Sequence, residues 1–181
     1  MKRLALGLAA ALAAPAWAND DPGQYGTTNP LELGIGRVME NIRNGITDMN
    51  TCATGYYITK SGRHEMAREL FELCATDGGY TGAMTWMSQL DNNGLGGAYD
   101  PDASAAWDRR AADAGDPVGK FNYGLDLLRG HGVARDAERG RAMVDAAAAD
   151  GLPIAQVLRE ADYDLDVVTP DADNWKYGPM F

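Results

Sequence analysis

Few residues in this chain are of types that do chemistry. It has two cysteines, Cys52 and Cys74, and two histidines, His64 and His131, among 181 residues. A dithiol redox pair has the C-x-x-C spacing, and a zinc site wants four ligands in close pairs; neither pattern surrounds the cysteines. The remaining reading for Cys52 and Cys74 is a structural disulfide, provided the chain reaches an oxidising compartment. Neither histidine has a cysteine or aspartate at metal-ligand spacing, or a serine at catalytic-motif spacing. Both read as solvated or capping residues. The G-x-G pairs at 34–36, 94–96 and 130–132 lack the third glycine and the strand–helix context of a dinucleotide loop. Asp91-Asn92-Asn93-Gly94 has a superficial calcium-loop look without the alternating ligands or the distal glutamate. The aspartates at 162–173 read as a solvated acidic tail, with weak calcium binding as the alternative. The sequence therefore assigns no catalytic residue, no metal ligand and no cofactor.

These residues are set out by a repeat. Gly79, Gly115 and Gly151 recur every 36 residues, and the same offset relates Gly94 to Gly130, Gly96 to Gly132, Asp100 to Asp136 and Ala111-Ala112 to Ala147-Ala148. One apolar column reads Phe71, Trp107, Met143. A fixed period of this size is the mark of a helical solenoid. Within one unit, Asp116 is an N-cap and Pro117 occupies a first-turn position where a missing N–H costs nothing. Phe121, Tyr123, Leu125, Leu127 and Leu128 follow as an apolar face. Gly130-His131-Gly132 then allows a reversal, and a second helix runs from about Asp136 to Gly151. Small residues at Gly119, Gly124, Ala142, Ala146 and Ala147 let the two helices approach closely.

Gly130-x-Gly132-Val133-x-x-Asp136, with Ala147-Ala148 and the closing Gly151, resembles the Sel-one-like repeat family, relatives of the tetratricopeptide repeats. The unit before it is similar, with Gly94-x-Gly96, Asp100, Ala106-Trp107, Ala111-Ala112 and Gly115. Trp107 stands where the family carries an aromatic, whereas Met143 departs from that pattern. The resemblance covers residues 80–151. It implies an all-α fold, a short right-handed solenoid of antiparallel helix pairs ending in an irregular tail.

Taken in order, Met1-Lys2-Arg3, the apolar run Leu4 to Ala14 and the small residues around Ala16-Trp17-Ala18 form a secretory signal peptide, residues 1–18, with cleavage expected after Ala18. The run is shorter than the roughly 20 residues needed to span a bilayer. Loss of Lys2 and Arg3 would take the net charge from −10 to −12. Such a protein is repelled by nucleic acid and anionic lipid. Residues 19–30 form an irregular lead-in. From Leu31 to about Asn50, Leu33, Ile35, Val38, Met39, Ile42, Ile46 and Met49 recur as on one amphipathic helix. His64 to Gly78 reads as its partner, so residues 31–78 form a diverged capping hairpin. Repeats follow at 79–115 and 116–151, then a partial unit at 152–162 whose helix starts at Pro153. Residues 163–181 are an acidic and aromatic tail. It either covers the open face of the last helix or docks on a partner through Trp175, Tyr177 and Phe181.

In this layout Cys52 falls near the end of the first helix and Cys74 near the end of its antiparallel partner, which suits a disulfide worth about 3 kcal/mol. Disulfides across helix hairpins in secreted members of the family agree with this. The expected function is binding. The first helices present a concave face around Met84, Trp86, Met87, Gln89, Phe121, Asn122 and Tyr123, a surface solenoids use for protein recognition. The reading is a non-enzymatic periplasmic or secreted adaptor or accessory subunit, using this face, the tail or both. Its partner is another protein, periplasmic or membrane-associated, with a basic or neutral surface. The alternative, implied by the resemblance alone, is a secreted cell-wall or β-lactam-related enzyme or binding protein.

Overall fold

The structure, a computed structural model, describes residues 30–168, with side chains from Gly34 onward. The signal peptide, most of the lead-in and the tail residues Trp175, Tyr177 and Phe181 lie outside the described residues. Helices run in chain order as α1 (Pro30–Arg43), α2 (Met49–Ala53), α3 (Gly55–Lys60), α4 (His64–Thr76), α5 (Thr81–Asn93), α6 (Pro101–Asp113), α7 (Pro117–Arg129), α8 (Ala137–Ala149) and α9 (Pro153–Glu160). A short 3-10 turn, Leu165–Val167, follows, and there is no strand among the described residues. From α4 onward each helix packs on the next, so the molecule is a one-dimensional stack.

The repeated starts and stops have local causes. Asp100, Asp116 and Asp136 each cap a helix by accepting a backbone N–H through the side chain: Ala103 at 3.0 Å, Gly119 at 2.8 Å and Arg139 at 3.1 Å. Pro101 and Pro117 fill the first helical turn. The second glycine of each turn has a further duty. Gly132 has φ +61°, and a Cβ there would lie 1.9 Å from the carbonyl oxygen of Pro101. Gly96 rests in the same way on the backbone of His64. Each turn thus sits directly on the start of the preceding repeat's second helix, which is why it cannot carry a side chain.

The core is divided along the stack. Met39, Ile42, Cys52, Ile58, Leu70, Phe71, Cys74, Met84, Met87 and Leu90 are buried together at the N-terminal end. Phe121, Leu125, Leu128, Val144, Leu158 and Val168 are buried at the other. Ala112, Tyr123 and Leu127, with Val133 and Met143, fill the space between.

The cap differs from the continuous helix expected over residues 31–50. α1 ends at Arg43, Gly45 takes φ +79°, and the chain restarts at Asp48, which caps α2 by accepting from the Asn50 and Thr51 N–H groups at 2.9 and 3.1 Å. Ile46 and Met49 continue the apolar spacing but are 44% and 70% exposed. The cap and turn chemistry of Asn44-Gly45 and Thr47-Asp48 overrides the periodicity. Cys52 therefore lies in α2, not at the end of α1, and its disulfide to Cys74 ties α2 to α4, with Cα atoms 5.8 Å apart.

At the other end, Asp162 and Tyr163 both have positive φ and turn the chain back after α9. The Tyr163 hydroxyl donates to Asp145 at 2.7 Å, and Arg141 lies over its ring. Tyr163 and Leu165 pack on the last core cluster, and Val168 is buried in it. Through Val168, then, the tail covers the open end of the stack. Asp164 accepts from the Asp166 N–H at 3.0 Å and serves as a cap. Among the described residues no helix is long and apolar enough to cross a membrane.

Candidate functional site

The first helices of the two full repeats, α5 and α7, lie side by side along the inner wall. Between them and the start of α9 runs an open groove of about 550 Å³. Its walls are Trp86, Gln89 and Asn92 from α5, Val118, Phe121 and Leu125 from α7, and Ile154 from α9. At the upper end Trp86 stacks on Phe71 and meets Tyr56 edge-on, and Tyr56 in turn meets Tyr57. Tyr56 and Tyr57 are 43% and 69% exposed, so an aromatic ridge on α3 leads to the groove.

The floor is polar. Ser88 donates to Asp108 Oδ2 and Asn122 Nδ2 donates to Asp108 Oδ1 at 3.1 Å. Because the Ser88 proton is thereby used, the 3.0 Å contact between the Ser88 and Ser104 hydroxyls leaves Ser104 as its donor. Asp126, one turn along α7 from Asn122, is 8% exposed and its Oδ2 is buried with no hydrogen-bond partner. Burial pushes the Asp108 carboxyl up to about 7, against the pull of the Ser88 and Asn122 hydrogen bonds; the charge of Asp116 adds to the rise. Burial likewise pushes Asp126 up to about 8, the charge of Asp108 adding to it and that of Arg129 opposing it. Arg129 is held by a 3.3 Å bond to the Val168 carbonyl, and His131 Nε2 is paired with Asn92 Oδ1 at 2.8 Å. In the Asp91–Gly94 segment, whose sequence only superficially resembles a calcium loop, Asp91 to Asn93 are the end of α5, Gly94 is its C-cap, and Asp91 pairs with Arg68 at 2.6 Å.

Of the residues expected on the concave face, the structure brings Trp86, Gln89, Phe121 and Asn122 to the groove. It does not bring the others. Met84 and Met87 are 6% and 3% exposed in the first core cluster, and Tyr123 is 5% exposed against Val133 on the opposite side of α7. An inner helix of a solenoid is packed by its own partner and by both neighbouring repeats, so most of its apolar positions are consumed by the core. The sequence reading missed Ser88, Ser104, Asp108 and Asp126. A signal was present. Asp126 interrupts the apolar run Leu125 to Leu128, and Ser88, Ser104 and Asp108 stand where the next unit has Gly124, Gly140 and Val144.

The stacked pairs form an all-α solenoid throughout the described residues, the fold shared by solved Sel1 repeat proteins. Similar solved structures include a Sel1 repeat protein from Oxalobacter formigenes, 23% identical with TM-score 0.57 over 69% of this chain and 50% of that one. A protective antigen of uropathogenic Escherichia coli strains displaying an SLR fold is 19% identical with TM-score 0.50, over 73% and 34%. Helicobacter pylori cysteine rich protein B is 17% identical with TM-score 0.56, over 74% and 98%. The chain thus spans half of the first protein and about a third of the second. No protein-family model matches the chain, and no curated protein matches it.

Proposed function

We propose that this chain is a non-enzymatic adaptor or accessory subunit of the periplasm or extracellular space that binds a partner protein along the α5–α7 groove. The observation that carries the reading is the groove itself, an open trough with apolar walls, a hydrogen-bonding floor and an aromatic ridge at one end. Such a surface suits an extended or helical segment of another protein. The Cys52–Cys74 disulfide and the basic and apolar N-terminal residues support an oxidising compartment. The tail residues Trp175, Tyr177 and Phe181 supply a second set of anchors for the same partner.

The test is affinity purification of the mature protein from a native envelope extract, beside Val118→Trp and a version truncated before Trp175. Val118 is 41% exposed on the groove wall, so the bulkier ring blocks the trough without disturbing the core. A partner lost with Val118→Trp supports the groove, and one lost only on truncation moves the site to the tail. A partner retained by both variants, or absent altogether, removes the reading. One observation favours the alternative of a cell-wall or β-lactam-related enzyme: two carboxyls with raised pKa converge in one site. Hydrolysis of a chromogenic β-lactam or of peptidoglycan that is lost in Asp108→Asn would establish it.

A further inference from the structure

The groove floor holds more acid than its surroundings explain. Asp126 is over nine-tenths buried, lines the groove, and has a carboxyl oxygen, Oδ2, to which no group among the described residues donates. An orphaned acceptor of this kind costs roughly 1–3 kcal/mol, more when ionised, so a protein keeps it where something else supplies the donor. Asp108 is close enough for its charge to act on Asp126, and its own two oxygens already accept from Ser88 and Asn122. Of the cations nearby, Arg129 acts on Asp126 through its charge but makes its hydrogen bond to the Val168 carbonyl. His131 is paired with Asn92 and Lys120 with Asp150, so among the described residues none donates to Asp126 Oδ2.

We propose that the groove floor is a slot for one aliphatic cation, the ammonium or guanidinium of a lysine or arginine on the partner protein, seated between Asp126 and Asp108. The head group would donate to Asp126 Oδ2 and neutralise the pair. The side chain's methylene stem would lie along Phe121, Leu125 and Val118, with Trp86 closing the upper end, as long cationic side chains do against apolar surface. The net charge of −10 draws such a partner from a distance. This inference rests on the groove being the docking face and names the chemistry that face selects.

The test titrates the purified chain, at constant ionic strength, with n-butylammonium chloride and with its neutral isostere n-butanol. Binding is followed by the NMR signals of the Trp86 indole N–H and the Asn122 side-chain amide. The expected result is a saturable shift with n-butylammonium at least about tenfold tighter than with n-butanol, and loss of that preference in Asp126→Asn. Equal response to the two probes overturns the slot, and so does a preference unchanged in a folded Asp126→Asn. The wild-type comparison decides the matter even should the variant fold poorly. A displayed peptide library panned on the same protein separates this inference from the groove reading. Peptides that shift the groove signals through a lysine or arginine at a common position support both. Peptides that do so without one leave the groove standing and remove the slot, and the absence of any such peptide removes both.

Discussion

Ser88 donates its hydroxyl proton to Asp108 across the α5–α6 interface, at the two positions where, 36 residues on, Gly124 lies so close to Val144 that an added Cβ would stand 3.0 Å from its Cγ2. Ser104, at the position of Gly140, completes the substitution of a dry helix contact by a hydrogen-bonded one. The same helix pair is thus built twice, once for packing and once with a polar floor.

Copying the second unit into the first should separate these roles. Ser88→Ala alone removes a donor from a buried carboxyl and should cost about 1–2 kcal/mol. The triple variant Ser88→Ala, Ser104→Ala, Asp108→Val removes the three buried partners together and leaves Asn122 at the groove to be met by water. Alanine stands in for the second unit's glycines to avoid their mid-helix cost of about 1 kcal/mol each, and the variant should come within about 1 kcal/mol of the parent. Thermal unfolding of the two proteins checks the order. A triple variant less stable than Ser88→Ala would show that the network holds the interface together.

Stability should fall as pH rises from about 4 to about 8. Asp108 and Asp126 have folded-state values of about 7 and about 8, above the ordinary 3.8 of the unfolded chain. Between those limits the folded state binds more protons, so ionisation pulls toward unfolding until both groups have titrated. The charged and polar groups facing the pair are Arg129, Asp116, Ser88 and Asn122, with His131 at the groove's edge. Denaturant unfolding at a series of pH values should lose a few kcal/mol across this window. Asp126→Asn should flatten its upper end, and an unchanged slope in that variant would contradict the assignment.

A cation in the groove should bind with the opposite pH trend. Binding to ionised Asp108 and Asp126 releases their protons, so affinity for n-butylammonium should rise between pH 6 and pH 8 and level off above. Titration at three pH values measures this, and a flat profile would mean that the ligand does not touch the pair.

Breaking the disulfide should act locally. Cys52 and Cys74 close a loop of sequence separation 22, so the Cys52→Ala, Cys74→Ala double variant should lose about 3 kcal/mol. In a one-dimensional stack that loss should show as faster hydrogen exchange in α1 to α4, with α7 to α9 little changed. Uniform acceleration along the chain would show a single cooperative unit instead.

The repeat glycines should divide into two classes. Gly115→Ala meets open space at φ +90° and pays only the left-handed backbone cost, about 1–2 kcal/mol. Gly132→Ala pays that cost and also collides with Pro101, so it should be the worse by a clear margin in thermal unfolding. Equal losses would place the turn away from the neighbouring repeat.

Much of the fold was legible because its signals are local. The Asp-Pro pairs at 100–101 and 116–117 cap and start helices, and the glycines at 94, 130 and 151 take the positive φ values that end them, whatever the rest of the chain does. The period of 36 followed from those marks, and the all-α solenoid from the period. The cap and the site were a different matter. Whether Ile46 and Met49 extend a helix or sit exposed past a break depends on the competition between periodic spacing and the Asp48 cap, which the packing of α2 against α4 resolved. The side of α5 and α7 on which Met84, Met87 and Tyr123 are consumed by core, and the strip on which Trp86, Asn122 and Asp126 face the groove, are set by how each helix is rotated against two neighbouring repeats. That rotation is a property of the stack. No single unit's sequence contains it, so the buried acid pair became visible only when the repeats were placed side by side.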